Sequence, residues 1–91
     1  MTDKEVRSLL EARKETHGSF TENAHISQGL QEVVAMGTKW PNMTPVQKEA
    51  TRVICAKIAR ICTGDPNHKD SWDDIAGYAI LAADRIEEKY R

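Results

Sequence analysis

Residues 44–64 read TPVQKEATRVICAKIARICTG, and this stretch decides the fold class. Thr44 followed by Pro45 marks a helix start, because proline at the first helical position loses no needed hydrogen bond. Gln47 completes a capping box with Thr44. Val46, Ala50, Val53, Ile54, Ile58 and Ile61 then recur at three- and four-residue intervals, which makes one apolar helix face up to Gly64.

The same signals repeat on both sides. Upstream, Thr2-x-x-Glu5 opens a helix carrying Val6, Leu9 and Leu10, and Gly18 stands where a C-terminal glycine would stop it. Ser19-x-x-Glu22 opens a second, with Ile26, Leu30, Val33 and Val34 in helical register until Gly37. Residues 37–44 form the main loop, turned by Pro41 and Asn42. Downstream, Asp65-Pro66-Asn67-His68 is a turn, and Asp70 or Ser71 is expected to cap a last helix. Trp72, Ile75, Ala76, Ala79, Ala83 and Ile86 are its apolar stripe, with Tyr78 and Leu81 on a second shoulder. No segment alternates as a strand would. The expectation is an all-α, compact four-helix domain over residues 1–91, with self-association favoured by the second apolar surface on the last helix.

Composition excludes several classes. The 91 residues hold 13 Lys plus Arg against 14 Asp plus Glu, a net charge of −1 that gives no general attraction to nucleic acid or anionic membrane. No apolar run approaches the roughly 20 residues a membrane helix needs. The start of the chain lacks the apolar core of a secretory signal, so a soluble cytoplasmic protein is expected. Cys55 and Cys62 lie on one helix about 10.5 Å apart, beyond disulfide reach, and no ligand spacing around them suggests zinc.

Three groups of residues break the helical grammar. Lys57 falls inside the apolar stripe of the third helix, with Arg60 at its edge. A bare ammonium there must pair with Asp73 or Asp74, snorkel outward, or face a bound phosphate. Asp70, Asp73 and Asp74 cluster at the start of the last helix, either stabilising its N-terminus or supplying half of a Mg²⁺ site. The joint His17-Gly18-Ser19 precedes free helical N–H groups, where Gly18 allows close approach and His17, Asn23 and His25 add donors. Beside the acidic cluster, Trp72 is core, interface, or a platform for a base.

The stretches THGSFTEN (16–23) and KIARICTGDPNHKDSWDDIAGYAIL (57–81) resemble a family of small uncharacterised phage and prophage proteins. More remotely, through DDIAGYA, the chain is similar to helical nucleotide-modification-associated and MazG-like nucleotide pyrophosphohydrolase domains. That resemblance implies a four-helix core assembled into oligomers, with Mg²⁺ held by an E-E-x-x-E motif and a separate acidic pair. Asp70 and Asp73, or a shifted set with Asp74, match the pair. The E-E-x-x-E motif is missing, and the helix before the acidic cluster carries Lys57 and Arg60 instead. Replacing carboxylates by cations removes a metal cage and leaves groups that attract phosphate directly.

The expected function is therefore non-catalytic binding of a phosphorylated nucleotide without a cofactor. Its context would be a phage protein that sequesters a host nucleotide signal in anti-defence, in the cytoplasm of an infected bacterium. Lys57 and Arg60 would hold phosphate, with His17, Gly18, Asn23 and His25 completing the pocket and Trp72 or Tyr78 stacking the base. One alternative is a Mg²⁺-dependent pyrophosphohydrolase using Asp70, Asp73 and Asp74. The other is an interaction protein that binds a host factor through an apolar face.

Overall fold

A computed structural model describes the backbone of residues 1–90 and the side chains of residues 1–86. Four α-helices follow one another: α1 (Asp3–His17), α2 (Phe20–Val34), α3 (Pro45–Thr63) and α4 (Lys69–Tyr90), with a single 3-10 turn at Trp40–Asn42. No strand occurs among the described residues.

The local signals act as their chemistry dictates. Thr2 Oγ1 accepts from the Glu5 N–H at 3.1 Å, and Ser19 Oγ receives a longer bond of 3.5 Å from Glu22. At α3 the capping box is complete, with Gln47 N–H donating to Thr44 Oγ1 at 3.1 Å and Thr44 N–H to Gln47 Oε1 at 2.9 Å. Two boundaries shift from the sequence reading. α2 stops at Val34 and gives way to turns before Gly37. α4 begins at Lys69, so Asp70 lies inside its first turn rather than capping it.

α3 is the central element, with α2 and α4 packed against it. Its buried residues fall on opposite sides of a 100°-per-residue wheel. Ala50 and Ile61 lie on one side, and Cys55 and Ala59 on the other. Only the first side was visible as periodicity, because alanine and cysteine do not announce a buried face. Within the apolar stripe read from the sequence, Val46 and Ile58 stay exposed. Trp40 folds back over α3, beneath the Lys48 ammonium at 5.7 Å and the Arg52 guanidinium at 5.4 Å from its ring centre. Both cysteines are free thiols, and burial pushes that of Cys55 above its ordinary value.

Two stripes expected to be core are not covered. α1 buries no residue, and Val6, Leu9 and Leu10 remain exposed. On α4, Trp72, Ala76, Ala79, Ala83 and Ile86 face outward, while Ser71 is buried and Ile75, Tyr78 and Ala82 are half-buried toward the body. The molecule measures 50 × 27 × 26 Å.

Candidate functional site

The site is built where α1 and α3 cross. Gly18 adopts φ +76°, a conformation that L side chains rarely take, and a Cβ there would collide with the Thr63 carbonyl. Gly64, at the end of α3, answers from the other side of the crossing, where a Cβ would strike the Thr16 carbonyl. With both glycines bare, the backbones touch. Asp65 N–H donates to the Thr16 carbonyl at 2.9 Å, and Thr63 Oγ1 to the His17 carbonyl at 3.1 Å. Asn23 Nδ2 reaches the same carbonyl from α2 at 3.3 Å. The crossing thus ties the ends of α1 and α3 to the start of α2.

Tied there, α1 stands away from the body and leaves a cleft of about 740 Å³. Its wall on α1 carries Arg7, Leu10, Glu11, Arg13, Lys14 and His17, and its far side Phe20, Asn23 and Arg60. Two of its cations are occupied: Arg7 pairs with Asp3 at 2.9 Å and Lys14 with Glu11 at 3.2 Å. Arg13 and Arg60 have no carboxylate partner among the described residues. Phe20 is 85% exposed and Leu10 56%, so an apolar rim stands beside the guanidiniums.

His17 registers this charge. Burial, then the positive fields of Arg60, His68, Arg13 and Lys57, hold its pKa below the ordinary value of 6.5. Its Nδ1 is buried with no hydrogen-bond partner. The His68 ring meets it edge-on at 5.8 Å. An anion placed here would meet two guanidiniums unmatched among the described residues and offset the cationic part of the penalty on the imidazolium.

The expected residues divide cleanly. His17, Gly18, Asn23 and Arg60 line the cleft together. Gly18 is there because the crossing needs it. His25, exposed on α2, does not line the cleft, nor do Tyr78 and Trp72 on α4. Trp72 is instead tethered by its indole N–H to the Pro66 carbonyl at 2.8 Å.

Of the outcomes the sequence leaves open for Lys57, the structure shows the ion pair with Asp74. Its Nζ lies 2.8 Å from Asp74 Oδ2, with the lysine side chain 18% exposed, and it does not line the cleft. That bond holds the Asp74 carboxyl below its ordinary pKa. The ammonium therefore has a partner on α4 within the fold. Arg13, Lys14 and Phe20 were missed, because nothing in the periodicity of α1 tells which way it leaves the body.

The acidic cluster does not fit a metal site. Asp73 takes the Lys69 ammonium at 2.7 Å, a bond that raises the Lys69 pKa, and Asp74 is held by Lys57. Asp70 stays exposed on the first turn of α4. Among the described residues no three His, Cys, Asp or Glu side chains gather closely enough to hold a cation.

Residues 3–86 match the family described as a domain of unknown function, DUF6378. The chain belongs to that family. No curated protein and no solved structure matches the chain. No helix among the described residues is long and apolar enough to cross a membrane.

Proposed function

We propose that the protein binds a phosphorylated nucleotide in the cleft between α1 and the α2–α3 body, without hydrolysing it, and does so as a homo-oligomer. The observation that carries this reading is the pair Arg13 and Arg60, two cleft guanidiniums with no carboxylate partner among the described residues, beside a histidine whose Nδ1 is buried and unbonded. Guanidinium groups match phosphate oxygens two at a time, and an unpaired one needs no internal bond broken first. Phe20 and Leu10 offer the base an apolar surface, a role the sequence assigned to Trp72 or Tyr78.

The Mg²⁺-dependent alternative lacks comparable support, because Asp73 and Asp74 are engaged by lysines. The resemblance to phage proteins supports the wider context, capture of a host nucleotide signal. Calorimetry against mono-, di- and cyclic nucleotides tests the binding. Saturable binding that persists in EDTA is expected. An absence of heat from every nucleotide at about 1 mM, where even a −4 kcal/mol interaction registers, would overturn it.

A further inference from the structure

Around the cleft, the cations Arg7, Arg13, Lys14 and Arg60 stand against Glu11 alone. Asp3 answers Arg7, and Glu11 answers Lys14. The charge left uncompensated among the described residues is that of Arg13 and Arg60, with the His17 ring on the same lining. At about 740 Å³ the cleft has the size of a small-molecule site.

His17 is the cleft group whose charge can change near neutral pH. The charges that act on it are Arg13 from α1, Arg60 and Lys57 from α3, and His68 from the turn before α4, all cationic. The Asp65 carboxylate in that turn accepts from the Asn67 N–H instead. From α2 comes only the neutral Asn23 amide, which donates to the His17 carbonyl. The buried Nδ1 has no acceptor among the described residues, so a proton placed there finds no partner within them. Burial and these fields leave the ring neutral at pH 7.

We infer that the ligand ends in a free phosphate, a nucleoside mono- or diphosphate rather than a cyclic phosphodiester, and that His17 takes up a proton from solvent as it binds. The inference rests on the proposed nucleotide binding and names which nucleotides. A terminal phosphate offers three free oxygens and carries about two negative charges above a second pKa near 6. Arg13, Arg60 and a charged His17 supply a cationic donor for each oxygen. A cyclic phosphodiester has one free oxygen fewer and half the charge. One donor then goes unanswered, and the imidazolium gains less. Because the dianion offsets the cationic fields, the complex holds more proton than the free protein, and affinity rises as pH falls toward the bound-state pKa of His17.

Calorimetry of the full chain at pH 8 and pH 6.5 tests this, with the 5′-mono- and diphosphates of adenosine, guanosine, cytidine and uridine and their 3′,5′-cyclic monophosphates. The best ligand with a terminal phosphate should bind about 10–100-fold more tightly than the cyclic form of the same base, the worth of one more hydrogen bond to a charged group. That comparison needs no variant. Wild-type affinity for the best monophosphate, divided by that of His17→Gln, should rise about threefold from pH 8 to pH 6.5, as a one-unit rise in the His17 pKa gives. Both proteins meet the same ligand titration, so the ratio reports His17. Equal binding of cyclic and open forms, or a ratio that does not change with pH, would overturn the inference and leave the cleft a nucleotide site. No binding of any of these nucleotides at about 1 mM would overturn the proposed function as well.

Discussion

The α3–α4 seam and the α1–α3 crossing, reached by Lys57 and Arg60 one turn apart on α3, treat their cations differently. Along the α3–α4 seam, Lys57 meets Asp74 at 2.8 Å, and on α4 itself Lys69 meets Asp73 at 2.7 Å. At the crossing with α1, Arg60 and Arg13 meet no carboxylate among the described residues. Matched charges hold the fold together. Unmatched ones line a cleft and, after burial, add to the depression of a neighbouring histidine's pKa instead of settling against an aspartate. The identity of the cation in the sequence does not separate these cases; the partner does.

The largest effect should come from the crossing that creates the contrast. Gly18→Ala forces an L side chain to φ +76° and into the Thr63 carbonyl, and should cost about 3 kcal/mol in denaturant unfolding. Gly29→Ala is the counterpart, since a Cβ there meets nothing within 4 Å on α2. It should stabilise the chain by about 0.5–1 kcal/mol. Equal outcomes for the two glycines would mean that the crossing does not govern the geometry of the cleft.

Next come the cations themselves. Arg60→Ala should weaken nucleotide binding about 10–100-fold, the worth of hydrogen bonds to a charged group. Lys57→Met should change it less than about threefold, because its ammonium answers to Asp74. Calorimetry on both variants separates them, and a larger loss in Lys57→Met would reverse the assignment.

Smallest is the dependence on pH. His17 is held below its unfolded value of 6.5, so its contribution to stability is whole above that pH and is lost as pH falls through the folded value. Asp74, lowered from 3.8, adds stability above that value which disappears in stronger acid. Thermal melts should therefore fall between pH 7 and 5, and His17→Gln should flatten that interval while leaving the loss below pH 4.

Much of the fold was legible. Thr2, Ser19 and Thr44-Pro45 open three helices, and Gly18 and Gly64 close two of them, because capping is local chemistry that needs no tertiary context. Burial was less so. Periodicity shows that Trp72, Ala76 and Ile86 share an apolar face but not whether the same chain covers it, and here the chain leaves it open. The site was half legible for the same reason. His17, Gly18, Asn23 and Arg60 broke the pattern visibly, whereas Arg13 and Phe20 look like ordinary surface residues until the direction of α1 is known. Lys57 stood out as strongly as Arg60, and only distance assigned it to Asp74.

Titrating pyrophosphate into uniformly labelled protein while following backbone amides and arginine Nε–H signals is the most direct test. Saturating shifts should gather at His17, Gly18, Asn23, Arg13 and Arg60, and the His17 pKa should climb toward or past 6.5 as the anion offsets its cationic neighbours. Shifts confined to Lys57 and α4, or a silent spectrum at millimolar pyrophosphate, would contradict the account.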